Sequence, residues 1–223
     1  MFRGVVAIVA IFLSLGFVAS AAPVVSNGTG GGAWDAPETW SGHRVPSPAD
    51  DITILPVDTV TAGSLDVGAT LLVEGQLRIS GGAVTLGGAM TTDSGAVSIF
   101  DACAVTIGTL GSLRINGSVD FVDTSKSDGA MTLINHGKVI VDKSGTLRNA
   151  GLLDNIQSLE NDGTLDNEGR FENHGVFENA GQFENAGVFN GNAPTQALPV
   201  GAVIWAAVLV LLGACVVWRS RRA

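Results

Sequence analysis

A single periodicity limits what this chain can fold into. Val141, Leu147, Leu153, Leu159, Leu165, Phe171, Phe177, Phe183 and Phe189 follow one another at intervals of six without a gap. Two places after each residue from Leu147 to Phe183 stands Asn: Asn149, Asn155, Asn161, Asn167, Asn173, Asn179 and Asn185. Four places after each apolar residue from Val141 to Phe183 stands Gly, at Gly145, Gly151, Gly163, Gly169, Gly175, Gly181 and Gly187, with Gln157 the exception. The unit reads apolar–acidic–Asn–x–Gly–x. A short fixed period is the signature of a solenoid. Six residues is too short for a helix pair and does not match a heptad, but it suits one short strand and a turn. One apolar side chain per unit is expected to point inward, with coils stacked at about 4.7–4.9 Å. Gly and Asn tolerate positive φ and are expected to bend the chain between strands. Asn side chains at equivalent corners are expected to form amide ladders. A disordered linker would not hold bulky apolar residues in register over nine units.

Weaker copies precede this run. Leu65, Leu71 and Leu77 are six apart, with Gly75 and Gly81 four places after the last two; Ile107, Leu113 and Val119 repeat the spacing, with Gly111 and Gly117. The expected fold class is therefore all-β: a single-stranded parallel β-solenoid, degenerate over 61–140 and regular over 141–190. If three units close one coil, residues 18 apart stack. That pairs Asp154 with Glu172, Glu160 with Glu178, and Asp166 with Glu184, while Arg148 stacks on Asp166. The unit partly resembles the hexapeptide of left-handed β-helices, with Gly where Ser, Thr, Ala or Val is usual. Many enzymes with that hexapeptide are acyltransferases, an activity not carried over here because no matching catalytic context is visible.

Residues 22–60 read as an N-terminal cap. Trp34 and Trp40 are large enough to plug an open solenoid end, and Pro46 and Pro48 cannot donate to a ladder. The stretch Trp34-Asp35-Ala36-Pro37-Glu38-Thr39-Trp40-Ser41-Gly42-His43-Arg44-Val45-Pro46, leading into Asp50-Asp51-Ile52-Thr53-Ile54, resembles the start of the G-eight domain and related β-helix proteins of bacterial surfaces. That resemblance covers about residues 34–81 and implies a right-handed helix, against the left-handed hint of the hexapeptide. The handedness stays undecided at this level.

The two ends indicate a compartment. Arg3, the apolar run Val5 to Val18 and Ala19-Ser20-Ala21 have the order of a secretory signal peptide, taken as residues 1–21. After a linker at 191–197, Leu198 to Trp218 is uncharged and long enough for one C-terminal transmembrane helix, and Arg219, Arg221 and Arg222 follow in a basic tail at 219–223. Basic residues stay on the cytoplasmic side, so the expected location of the bulk of the chain is extracytoplasmic, single-pass and at a cell surface. The block resembles C-terminal sorting signals of the PEP-CTERM type, handled by exosortases. The signature tripeptide is absent, and Ala193-Pro194-Thr195-Gln196-Ala197-Leu198-Pro199 stands in its place. The resemblance therefore implies a topology and not a processing enzyme.

Charge narrows the partners. Of 12 basic residues, Arg3, Arg219, Arg221 and Arg222 lie in the terminal segments, which leaves eight against 21 acidic residues and a net charge of −13 between them. That excludes nucleic acid as an expected partner, since it needs a basic face. Cys103 and Cys215 are the two cysteines, and Cys215 lies in the apolar segment, so no disulfide is expected in the ectodomain. Cys103 reads as a small buried hydrophobe. His43, His136 and His174 are scattered, with the last two at the variable position of the repeat. Asp50 and Asp51 with Asp35 are a candidate carboxylate group for Ca²⁺ or for glycan hydrolysis, set against a plain turn. Asn27-Gly28-Thr29 and Asn116-Gly117-Ser118 fit a glycosylation sequon. Val122 to Gly129 is the one stretch that reads as a long loop. No catalytic or cofactor-binding residue is expected and no cofactor is required. The candidate metal ligands are the stacked pairs Asp154, Glu172, Glu160, Glu178, Asp166 and Glu184, for Ca²⁺ at millimolar affinity. The expected function is a membrane-anchored extracytoplasmic structural or adhesive surface protein, with the membrane and a glycan or matrix as partners. The alternative is a glycan-binding or carbohydrate-active β-helix protein.

Overall fold

The chain alternates four extended residues with a tight two-residue turn. In Thr146–Asn149, Ser158–Asn161 and Thr164–Asn167 the second and fourth residues are buried and the first and third are more exposed. A computed structural model describes residues 23–122, 124 and 131–196. These wind through three parallel sheets in turn, so the expected all-β parallel solenoid is what they form. Most of the expected Val122–Gly129 loop lies outside the described residues, as do the signal peptide, the apolar segment 198–218 and the basic tail. No helix among the described residues is long and apolar enough to cross a membrane.

The first sheet has nine strands: Pro23–Val25, Asp51–Ile54, Thr70–Val73, Ala89–Thr92, Ser112–Ile115, Lys138–Val141, Ser158–Asn161, Val176–Asn179 and Thr195–Gln196. The second has eight, from Gly31–Ala33 and Thr59–Ala62 through Gln76–Ser80 to Gln182–Asn185. The third has seven, from Leu65–Val67 and Ala83–Leu86 to Val188–Gly191. In the regular part each coil is 18 residues long, so Thr146 pairs with Thr164 and Thr164 with Gln182. Earlier coils are longer, since Ser112 pairs with Lys138 and Ser118 with Thr146.

The repeat's apolar residues form the axis. Leu147, Leu153, Leu159 and Leu165 are fully buried, and Phe171 and Phe177 continue the column. Each such side chain contributes about 1.5–3 kcal/mol by leaving water. Phe171, Phe177, Phe183 and Phe189 cluster at the C-terminal end, with Phe171 and Phe189 centroids 5.0 Å apart in a T-shaped contact. Phe183 and Phe189 are only partly buried, so the core tapers there.

Two expectations about the turn residues are corrected. The asparagines do not bend the chain between strands: each closes a strand, and the expected amide ladders form inside the core. Asn135, Asn149, Asn155, Asn161, Asn167 and Asn173 are all 0% exposed and point inward beside the apolar column. They escape the cost of burial by bonding along the axis. Asn149 Nδ2 donates to Asn167 Oδ1 at 2.7 Å, and Asn167 Nδ2 to Asn185 Oδ1 at 2.6 Å. Asn155 receives from Asn135 at 2.8 Å and donates to Asn173 at 2.7 Å. Asn161 begins its own column. Val141 lies beneath it, so Asn161 Oδ1 finds no donor.

The glycines of the regular repeats, in turn, do not use positive φ, although Gly81 in the degenerate part and Gly191 just past the repeats do. They are needed for close approach. The N–H groups of His174 and Gly175 both donate to the Asn155 carbonyl, at 2.8 and 2.9 Å, which draws the turn onto the coil below. A Cβ at Gly175 would overlap the Gln157 backbone, well inside van der Waals contact.

Candidate functional site

The N-terminal segment is built into the sheets rather than laid over them. Pro23–Val25 and Gly31–Ala33 pair with Asp51–Ile54 and Thr59–Ala62. Pro48 protects the edge of the third sheet through its carbonyl, which accepts the Gly68 and Ala69 N–H groups at 2.8 and 2.9 Å. The two tryptophans divide their roles. Trp40 is 1% exposed, inside the core, and its Nε1 donates to the Trp34 carbonyl at 2.7 Å. Trp34 packs on it edge-on, with centroids 5.0 Å apart, and is half-buried.

Asp58 organises the glycine-rich loop before Trp34, and the sequence reading passed over it. It is 1% exposed and accepts hydrogen bonds from the Ser26 hydroxyl and from the Gly28 and Gly30 N–H groups, the last two at 2.8 Å. Gly28, Gly30, Gly31 and Gly32 all have positive φ, so successive N–H groups converge as an anion-binding nest does. Burial pushes the Asp58 carboxyl up, but the bonds from Ser26, Gly28 and Gly30 outweigh it and hold it below its usual range. The run Gly28-Thr29-Gly30-Gly31-Gly32 was the available signal, since a loop of that composition closes around an anion.

Asp50 and Asp51 are engaged in separate contacts. Asp50 is held by Arg44 through both guanidinium nitrogens, at 2.7 and 3.0 Å, and by Ser47 N–H and Oγ at 2.7 and 2.8 Å. The Arg44 guanidinium holds its carboxyl far below the usual carboxylate range. Asp51 instead accepts the Thr70 hydroxyl at 2.6 Å. Asp35 lies at the Trp34 cleft.

That cleft follows the corner between the second and third sheets. One hollow of about 490 Å³ is lined by Trp34, Asp35, Thr61, Ser64 and Ser80. A second, of about 330 Å³, is lined by Trp34, Pro46, Ser64, Asp66 and Thr85. Trp34 and Ser64 belong to both.

The acidic residues of the repeat fall where an 18-residue coil puts them. Asp154 pairs with Glu172, Glu160 with Glu178, Asp166 with Glu184, and Arg148 with Asp166. Each pair is partly neutralised by a nearby cation. Lys138 Nζ lies 2.8 Å from Glu160, and Arg148 Nε 3.9 Å from Asp166. Arg170 bonds Glu172 and lowers its pKa. The exposed His174 Nε2 lies 3.6 Å from Glu172 and 3.9 Å from Asp154. Asp154 Oδ1 is shielded from solvent and accepts no hydrogen bond. Among the described residues no three His, Cys, Asp or Glu side chains converge as a metal-binding group. Cys103 is buried beside Met131, and burial, with Asp101 adding to it, pushes its thiol up to about 11, away from nucleophilic use at neutral pH.

No family model matches this chain, and neither a curated protein nor a solved structure matches it.

Proposed function

We propose that this chain is a membrane-anchored extracytoplasmic scaffold, whose solenoid stands off a membrane and presents a structural or adhesive surface. The observation that carries the reading is the exit of the chain. The last strand, Thr195–Gln196, ends the first sheet directly before the uncharged segment 198–218 and Arg219, Arg221 and Arg222. An anchor there leaves the tryptophan-bearing end of the solenoid farthest from the bilayer. Nine strands at a spacing of about 4.8 Å give the first sheet a height of roughly 40 Å. The eight-to-21 charge balance of the ectodomain suits an exposed, soluble surface. The stacked acidic pairs add a means by which divalent cations steady the rod.

Protease accessibility tests the topology. Protease added outside intact cells should remove the solenoid and leave a membrane-bound C-terminal fragment. Replacing Arg219, Arg221 and Arg222 with Gln should weaken retention or mix the orientation. A solenoid protected in intact cells and freed only by lysis would overturn the reading.

A further inference from the structure

The division of labour between Trp34 and Trp40 leaves one aromatic side chain without a structural reason to be accessible. Trp40 lies inside the end of the core, at 1% exposed. Trp34 overlies it: its backbone N–H donates to the Thr61 carbonyl at 2.8 Å, its backbone carbonyl accepts Trp40 Nε1 at 2.7 Å, and its ring meets Trp40 edge-on. It still keeps part of its surface in solvent and forms a wall of both hollows at the corner between two sheets. The other polar walls are short: the hydroxyls of Thr61, Ser64, Ser80 and Thr85, and the carboxylates of Asp35 and Asp66. The combined space lies within the range of small-ligand sites, about 300–1,000 Å³.

We propose that this cleft binds a neutral saccharide, with Trp34 as the platform for a sugar ring. An indole already packed against Trp40 offers an apolar face to the C–H face of a pyranose at reduced entropic cost. Hydroxyls and carboxylates set around it accept and donate to sugar hydroxyls, the arrangement of a mostly preformed site with a few convergent polar groups. The sign of the charge selects the ligand. Asp35 and Asp66 line the cleft and no Lys or Arg does, so uronate and sulfated glycans are repelled. The inference goes beyond the scaffold reading and does not depend on the anchor.

The test uses the full chain, purified in a non-glycosidic detergent such as a dimethylamine oxide so that no detergent sugar competes. Cellohexaose, maltohexaose, chitohexaose and the anionic polygalacturonate are titrated separately by calorimetry and by tryptophan fluorescence. At least one neutral oligosaccharide should bind, with a change in tryptophan emission, and polygalacturonate should not. Trp34→Ala should weaken that binding at least tenfold, and Trp34→Phe less. Because Trp34→Ala also removes a contact to Trp40, Thr85→Arg is made in parallel; it obstructs the second hollow from an exposed strand position, leaves the Trp34–Trp40 contact in place, and should lower affinity with an unchanged melting temperature. Failure of all neutral oligosaccharides to bind, binding of polygalacturonate alone, or neutral-sugar binding indifferent to both Trp34→Ala and Thr85→Arg would overturn the proposal.

Discussion

Gly175 and Gly108 both lie between strands and differ in the space around them. A Cβ at Gly175 would overlap the Gln157 backbone, whereas one at Gly108 would lie 3.6 Å from the Leu86 carbonyl, an ordinary contact. Neither has positive φ. Gly175→Ala should therefore destabilise by about 1–3 kcal/mol through overpacking. Gly108→Ala should stabilise by about 0.4–1 kcal/mol, because Ala restricts the unfolded chain. Urea denaturation separates the two, and a shift of the same sign in both would defeat the close-approach account of the repeat's Gly. Asp58 gives a residue-scale prediction in pH. Its folded pKa is lowered from 3.8, so its contribution is present above the unfolded value and is lost as pH falls through the folded one. Asp58→Asn should lower stability at pH 7 by about 1–3 kcal/mol, since the Gly28 and Gly30 N–H groups lose a charged acceptor. The gap should narrow below about pH 4. Melting temperatures across pH 2.5–7 check this, and a gap independent of pH would mean that the carboxylate charge is not what holds the loop.

At the scale of the strand, the amide columns decide how coils stay in register. Asn167 is buried, receives a bond from Asn149 and donates to Asn185 and to the Val188 carbonyl at 3.2 Å. Asn185 ends the same column and is exposed. Asn167→Ala should cost about 2–4 kcal/mol, because it removes bonds and strands a buried neighbour, whereas Asn185→Ala should cost under about 1 kcal/mol. Equal losses in thermal denaturation would show that the columns do not act along the axis. The strands were legible in sequence because the Leu/Phe register is local and strict. The inward direction of Asn was not, because Asn reads as a turn residue by itself. Its partner lies one coil away, as Asn149 lies 18 residues from Asn167, and only the closed coil supplies the missing bonds. The same limit hid Asp58, whose partners Ser26, Gly28 and Gly30 lie about thirty residues earlier.

On the scale of the whole molecule, the three-unit coil could be read from sequence, and it sets three like-charged pairs, one per sheet. Its weight depends on neighbours that a linear reading cannot place. Two unit charges about 4.8 Å apart in water repel by about 0.9 kcal/mol, less in salt. Lys138, Arg148 and Arg170 reduce that cost on one member of each pair, while Glu178 has no cation among the ion pairs of the described residues. What is left is a rod of net charge −13 that cations of any kind should steady. Divalent ions should do more than screen, because one Ca²⁺ can sit between two stacked carboxylates. Two carboxylates are a sparse ligand set, so millimolar affinity is expected. At a Ca²⁺ concentration equal to Kd, each occupied pair adds about 0.4 kcal/mol and three pairs about 1.2 kcal/mol. For a domain of this size that raises the melting temperature by about 2–4 °C. The measurement compares CaCl₂ with NaCl at equal ionic strength, and the excess from Ca²⁺ should shrink when Glu178 and Glu184 are changed to Gln. Equal shifts from the two salts would reduce the acidic columns to screening, and an excess untouched by the Gln changes would place the ion elsewhere.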